Sequence, residues 1–100
     1  MASRLKLHDE LLTFLPNVYY QPPESLIMQY PCIVYTKYAD LATHANNKFY
    51  VGTQGYTIIL IEHDPDSIIS NHMLRHFSMC NINQYYTLNG LNHTNITLYY

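Results

Sequence analysis

The spacing of apolar positions predicts two helices. Near the N-terminus, apolar side chains recur at i, i+4, i+7 and i+8 and form a single stripe: Leu7, Leu11, Phe14 and Leu15. This stripe predicts a helix over residues 4–15, which Pro16 ends. A second helix is predicted to begin with Asp64 as N-cap and Pro65 at the first helical position, and to run to about Phe77.

The remaining apolar pattern is typical of strands. Five β-prone runs are recognisable, at residues 17–21, 32–38, 56–62, 79–87 and 93–100. The aliphatic stretch Ile58–Ile61 implies cover on both sheet faces, so we expect Ile59→Ala to cost about 2–5 kcal/mol. Asn89-Gly90 predicts a hairpin turn. Together these elements predict one α+β domain over residues 1–100, a small, mainly antiparallel sheet of about four strands with two helices packed on one face.

Residues 39–54 follow neither a helical nor a strand period. Irregular segments of this length are usually functional or disordered, so the alternatives are an interaction loop and a surface excursion. Exposed strand edges are normally blunted by Lys or Pro, and only Lys37 could serve on a long strand. Either a neighbouring chain therefore pairs with one edge, or the predicted sheet is wrong. The candidate interface residues are aromatic: Tyr38, Phe49, Tyr50, Tyr99 and Tyr100.

Composition favours a protein that works in contact with others. Charged residues make up 12% of the 100 residues, about half the usual share, whereas the chain contains 11 Tyr and has a net charge of −2. Tyr is enriched at protein interfaces, and Lys and Glu are depleted there. The alternative explanation is a monomer from a source whose genome favours Tyr and Asn. The charge balance argues against a nucleic-acid groove. No membrane or export segment is expected, and Cys32 and Cys80 are expected to be reduced thiols of an intracellular protein.

Catalytic and metal chemistry find weak support. His72 and His76 lie four residues apart on the second predicted helix, and with His63 they form the candidate set for a small metal-binding or hydrolytic domain. No Glu follows His72, and Arg75 lies beside the pair, so surface histidines are favoured. Nucleophile elbows and phosphate-binding loops are not recognisable. We therefore expect no enzyme, no catalytic residue, no metal and no cofactor.

Seven segments along the chain occur in a recognisable order. They are Asn17-Val18-Tyr19-Tyr20-Gln21-Pro22-Pro23, Tyr30-Pro31-Cys32-Ile33-Val34-Tyr35, Ala45-Asn46-Asn47-Lys48-Phe49-Tyr50, Tyr56-Thr57-Ile58-Ile59-Leu60-Ile61, Asp64-Pro65-Asp66-Ser67, Leu91-Asn92-His93 and Leu98-Tyr99-Tyr100. In this order they resemble the tail terminator (tail completion) proteins from the neck of tailed bacteriophages. The resemblance covers about residues 8–100 and rests on the number and order of its segments.

This resemblance implies a structural virion protein, assembled in the host cytoplasm. Members form a ring, commonly of six subunits, that caps the tail tube, ends its polymerisation and joins the tail to the head connector or stopper protein. DNA passes through such a ring without sequence-specific binding. A head-completion or connector-stopper ring is the alternative within the neck. Longer members continue past the position of Tyr100, and we expect this chain to lack such a C-terminal extension and the connector contact that it would make.

Overall fold

A computed structural model describes residues 4–38 and 54–100 of the chain. These residues form two helices, α1 (Arg4–Leu12) and α2 (Ile69–His76). They also form five strands: β1 (Val18–Tyr20), β2 (Cys32–Tyr38), β3 (Gly55–Glu62), β4 (Cys80–Leu88) and β5 (Leu91–Tyr99). The α+β class with two helices is thus confirmed.

The strands form one mixed sheet in the order β1-β2-β3-β5-β4. The expectation of about four strands was too low, because the short run at 17–21 also joins the sheet. The backbone N–H of Ile33 donates to the Asn17 carbonyl, and that of Gln21 donates to the Tyr35 carbonyl, both at 2.9 Å. These bonds hold β1 parallel to β2, whereas every other pairing is antiparallel.

Strand β3 lies at the centre of the sheet and divides its residues between two faces. Ile58 and Leu60 are fully buried in the core, on the face that we call the inner face. Ile59 points to the opposite, outer face and is only half-buried. The expectation that Ile59 is a core residue was therefore wrong, because an unbroken aliphatic run does not reveal which side of a strand faces the helices.

Helix α1 covers the inner face through the predicted apolar stripe. Leu7, Leu11 and Leu15 are buried in the core, and Phe14 packs against it. The helix ends at Leu12, three residues earlier than predicted, and a turn carries Leu15 onto the core with its N–H 3.4 Å from the Leu11 carbonyl.

The buried phenol of Tyr35 ties α1 to β2. Its oxygen accepts a hydrogen bond from Arg4 Nη1 at 3.1 Å and lies 2.7 Å from His8 Nδ1. The Arg4 guanidinium also lies 4.2 Å from the ring centroid of Tyr20. Because a buried hydroxyl without a partner is costly, these contacts make the position of α1 specific.

Helix α2 begins at Ile69, not at Asp64 as predicted. The Asp64 carboxylate accepts the N–H of Asp66 at 2.9 Å, which closes a local turn. Ser67 Oγ then accepts the N–H of Ile69 at 3.3 Å. Asp64-Pro65 therefore forms a turn that precedes the helix. Met73 of α2 and Phe77, which follows the helix, are buried in the core.

The Glu10 carboxylate joins three parts of the chain. One of its oxygens lies 2.8 Å from His76 Nε2 on α2, and the other accepts a hydrogen bond from the Tyr100 hydroxyl. Phe14 of the α1 end packs edge-to-face on His76, with ring centroids 5.5 Å apart. The two helices and the C-terminal residue therefore meet at one polar contact beside the core.

The first prediction compares neighbouring isoleucines of β3. Ile58→Ala should lower the free energy of unfolding by about 2–5 kcal/mol, because it leaves a cavity in the core. Ile59→Ala should cost less, since its side chain is already half exposed to water. Urea denaturation of both variants measures the difference, and equal losses would show that both faces of β3 are equally covered.

A second prediction concerns the Glu10 contact. Glu10→Ala should lower the free energy of unfolding by about 1 kcal/mol, a reduced value because the two side chains are 29% and 44% exposed. Asp9→Ala, which removes the exposed neighbouring carboxylate, is the matched control and should be close to neutral. Thermal denaturation of both variants provides the test. An equal loss of stability in the Asp9 variant would show that the effect comes from removing a negative charge from α1 and not from the Glu10 contact.

Candidate interaction surfaces

The candidate interface residues have different surroundings. Phe49 and Tyr50 lie outside the described residues, as does the side chain of Tyr38. Tyr99 ends β5 and is half-buried. Tyr100 packs its ring edge-to-face against Phe77 at 6.1 Å and bonds to Glu10, so its side chain is already engaged in contacts within its own chain.

The three candidate metal-binding histidines do not meet. His76 pairs with Glu10, and the ring of His63 lies edge-to-face with that of Tyr30 at 6.4 Å. His72 is exposed on α2. Among the described residues, no group of three or more His, Cys, Asp or Glu side chains is arranged to hold a metal ion. This geometry gives the metal-binding alternative no support.

Both cysteines are free thiols in apolar surroundings. Cys32 is buried in β2, and Cys80 begins β4 at the edge of the core. Burial raises the pKa of each thiol to about 11. Since the thiolate is the nucleophile, these side chains are poorly suited to covalent catalysis at neutral pH.

The outer face of the sheet is the first candidate surface. Six half-buried residues of β2, β3 and β5 form its middle, which we call the open face: Val34, Thr36, Thr57, Ile59, Asn95 and Thr97. The five strands carry only two charged residues, Lys37 and Glu62, and both alternate to the inner side. The open face therefore offers hydroxyl, amide and methyl groups without a charge, as interface centres do.

The edge strand β4 is the second candidate surface. In the described part of the chain it pairs on one side only, with β5, and most of its nine residues are exposed. An extra residue, Asn83, forms a bulge between Ile82 and Gln84. The Asn83 side chain lies on the outer face and donates to Thr97 Oγ1. Because the bulge shifts the alternation by one residue, Tyr85 then faces inward and Tyr86 outward.

A cleft of about 270 Å³ opens beside this strand, at the end of the sheet where β3 leaves for α2. It lies between the β3–α2 connection and the β4–β5 hairpin. Eleven residues line it: Glu62, Asp64, Pro65, Ser67, Ser70, Tyr85, Tyr86, Thr87, Asn92, His93 and Thr94. Sites for drug-sized molecules usually enclose roughly 300–1,000 Å³, so this cleft suits a single side chain or a small polar group better.

Glu62 is the buried acid of the cleft. This residue occupies the last position of β3 and is only 8% exposed. Burial raises the pKa of the Glu62 carboxyl above its ordinary value. The Ser67 hydroxyl, which donates a hydrogen bond to this carboxyl, lowers the pKa, whereas the negative charge of Asp64 raises it. Ser67 is itself held by the Ile69 N–H, so the loop before α2 positions this hydroxyl.

His93 and Tyr86 form the wall of the cleft toward the outer face. Their rings are stacked, with centroids 4.8 Å apart and an interplanar angle of 18°. His93 is 8% exposed, and its Nδ1 lies 3.0 Å from the Leu91 carbonyl. This pair makes a rigid aromatic side for the cleft.

Sequence reasoning missed this cleft. The sequence predicts Asp64 as a helix N-cap and Glu62 as the last residue of a strand, and neither pattern indicates a cleft. The available signal was an acidic residue that directly follows a run of buried aliphatics, Ile58–Ile61. A carboxylate in that position must either point away from the sheet into water or lose its hydration, and the Glu62 carboxylate is desolvated.

No protein-family model, curated protein or solved structure matches this chain. Neither described helix is long and apolar enough to cross a membrane.

The third prediction tests the desolvated acid. A carboxyl whose pKa is raised by folding stabilises the protein only while it is protonated, and this contribution is lost as pH rises through the folded-state pKa. Glu62→Gln should therefore raise the free energy of unfolding at pH 7, and the gain should disappear below pH 4.5, the ordinary pKa of the group.

Urea denaturation at pH 7 and at pH 4 measures this difference. Asp66→Asn removes the same charge from an exposed position of the same loop and should produce no gain. An equal gain in both variants would assign the effect to net charge and not to the burial of Glu62.

Proposed function

We propose that this chain is a structural subunit of a homo-oligomeric ring in the neck of a tailed bacteriophage, of the tail terminator kind. The ring, commonly of six copies in that family, caps the tail tube, ends its polymerisation and joins the tail to the head connector or stopper protein. The protein acts by shape and surface complementarity in the virion and needs no catalytic residue.

The observation that carries this proposal is the uncharged open face. A soluble domain of this size normally places charges on its water-exposed sheet face, yet the strands direct none there. Six half-buried Val, Ile, Thr and Asn side chains can be desolvated at a small cost compared with ionic groups. A neighbouring subunit that covers this face would turn an uncharged surface into a buried interface, as in obligate oligomers.

A closed ring requires two different contact surfaces on each subunit. The open face and the opposite, helix-covered side of the molecule differ in chemistry, which is compatible with such head-to-tail contacts. Residues 39–53, which contain Phe49 and Tyr50, lie outside the described part of the chain, so their role as loop anchors stays a prediction. The sequence resemblance supports a place in the phage neck, and the uncharged open face of the sheet supports assembly into an oligomer.

The fourth prediction places a charge on the open face. Thr57 pairs with Thr36 on one side and with Thr97 on the other, at the centre of that face. Thr57→Lys should leave the thermal unfolding of the monomer nearly unchanged but prevent assembly, because a buried interface would have to desolvate the ammonium group. Asn71→Lys, on the exposed surface of α2, adds the same charge and is the control.

Native mass spectrometry of both variants and of the unmodified chain measures assembly, and electron microscopy with purified tail tubes shows where the ring binds. Rings of the unmodified chain and the Asn71 variant at one end of the tube, with monomers of the Thr57 variant, are expected. A chain that stays monomeric at high concentration, with or without tubes, would contradict the proposed function.

A further inference from the structure

The edge of β4 has the properties of a strand that accepts another strand. It is nine residues long, and none of its residues is Lys, Arg, Asp, Glu or Pro, the residues that normally block edge-to-edge pairing. Tyr85 and Leu88 are 65% and 54% exposed along it. An extended peptide can therefore gain main-chain hydrogen bonds and apolar contacts at this edge.

The Glu62 cleft lies directly beside this edge. Tyr85, Tyr86 and Thr87 belong both to β4 and to the lining of the cleft. A side chain that an added strand directs toward the inner face would thus lie next to the cleft opening, because side chains alternate across a strand. The edge and the cleft form one continuous surface.

The charge of the cleft selects the side chain that fits it. Glu62 and Asp64 supply two carboxylates, the Ser, Thr and Tyr hydroxyls and the Asn92 amide supply further acceptors, and none of the described lining residues is Lys or Arg. The Tyr85 ring at the rim can contact a cation through its face. This lining complements a guanidinium or an ammonium group and repels an acid.

We propose that β4 and the Glu62 cleft form a docking site for an extended segment of a different protein, which adds to the sheet edge and inserts an Arg or Lys side chain into the cleft. The main-chain bonds of β4 supply affinity, and the acidic lining of the cleft, with Glu62 and Asp64, selects the basic residue. This site specifies the kind of side chain that a partner would contribute to the assembly proposed above, and in this respect the inference rests on the proposed function.

In a second copy of this chain, the strands that the structure describes are a poor source of that segment. Lys37 is the only Lys or Arg on these described strands, and it is paired with Tyr56, at the end of the sheet opposite Glu62. Strand β2 also lies inside the sheet, between β1 and β3. Among the helical cations, Arg4 is already engaged with Tyr20 and Tyr35. The described elements therefore offer no basic residue on a free strand.

The environment of Glu62 is consistent with a binding role. A desolvated carboxylate lowers stability until a cation approaches it, and residues that bind ligands are often retained at such a cost. An incoming guanidinium would meet a carboxylate whose geometry is already set by Ser67 and by the end of β3. The bulge at Asn83 serves the same site, because it turns Tyr85 toward the cleft.

The test uses the full chain and two synthetic peptides as probes. Each peptide has nine residues of alternating Thr and Val, flanked by Ser-Gly for solubility, with a central Arg in one and a central Gln in the other. Fluorescence polarisation measures affinity, and amide chemical shifts locate binding. Glu62→Gln removes the cleft acid, and Asp66→Asn removes a neighbouring exposed charge that does not line the cleft.

The Arg peptide should bind about 10-fold to 100-fold more tightly than the Gln peptide, as expected for a charge-assisted hydrogen bond. Glu62→Gln should remove this preference, Asp66→Asn should retain it, and shifts should concentrate on β4 and residues 64–70. Equal affinity of both peptides, equal effects of both variants, or shifts away from β4 would each overturn the proposal.

Native mass spectra of the same samples separate this result from the proposed function. Rings that form while the Arg preference is missing would refute the docking site alone. An Arg preference in a chain that never assembles, with or without tail tubes, would support the docking site and refute the ring. Self-association through β4 that blocks peptide binding would assign this edge to a second copy and overturn the proposal.

Discussion

The number of helices available to cover the sheet limits everything else in this molecule. Two short helices, α1 and α2, cover the inner face of five strands, where Ile58, Leu60 and Ile96 form the core with Leu7 and Met73. A chain of this size has room for about one such core. In the described residues, the outer face has no helix. Cys32, Ile61 and His93 are buried at one end of it, whereas the six residues of the open face are only half-buried.

Because only one face of the sheet is covered by helices, the interactions that stabilise the fold lie on a different side of the sheet from the open face. Stability comes from the apolar inner face and from a few polar contacts beside it, such as Tyr35 with Arg4 and His8 and Glu10 with His76. The open face contributes little to this core. It can therefore vary in chemistry without loss of the fold, and the absence of charge on its strands calls for a reason other than folding.

In the ring that we propose, the two candidate surfaces would serve different contacts. The open face is broad and uncharged, which suits the repeated contact between identical subunits. The β4 edge with its acidic cleft is narrow and directional, which suits one extended segment with one basic side chain. A ring subunit needs both kinds of contact, because it must close on itself and also hold the component above or below it.

Local patterns in the sequence determined the existence and type of nearly every element. The leucine stripe predicted α1, alternation and β-branched residues predicted the strands, and Asn89-Gly90 predicted the hairpin, in which both residues adopt positive φ angles of 53° and 76°. These features depend on neighbours a few residues apart. Sequence reasoning can find them because helical and strand periods are properties of the local backbone.

Contacts between distant residues decided the rest. The parallel pairing of β1 depends on β2, the bulge at Asn83 depends on the register with β5, and the start of α2 depends on how Asp64 and Ser67 use their side chains. The cleft around Glu62 combines residues from 62 to 94 that share no local pattern. Register and desolvation arise only when strands pair and pack, so tertiary structure alone determined where this acid lies.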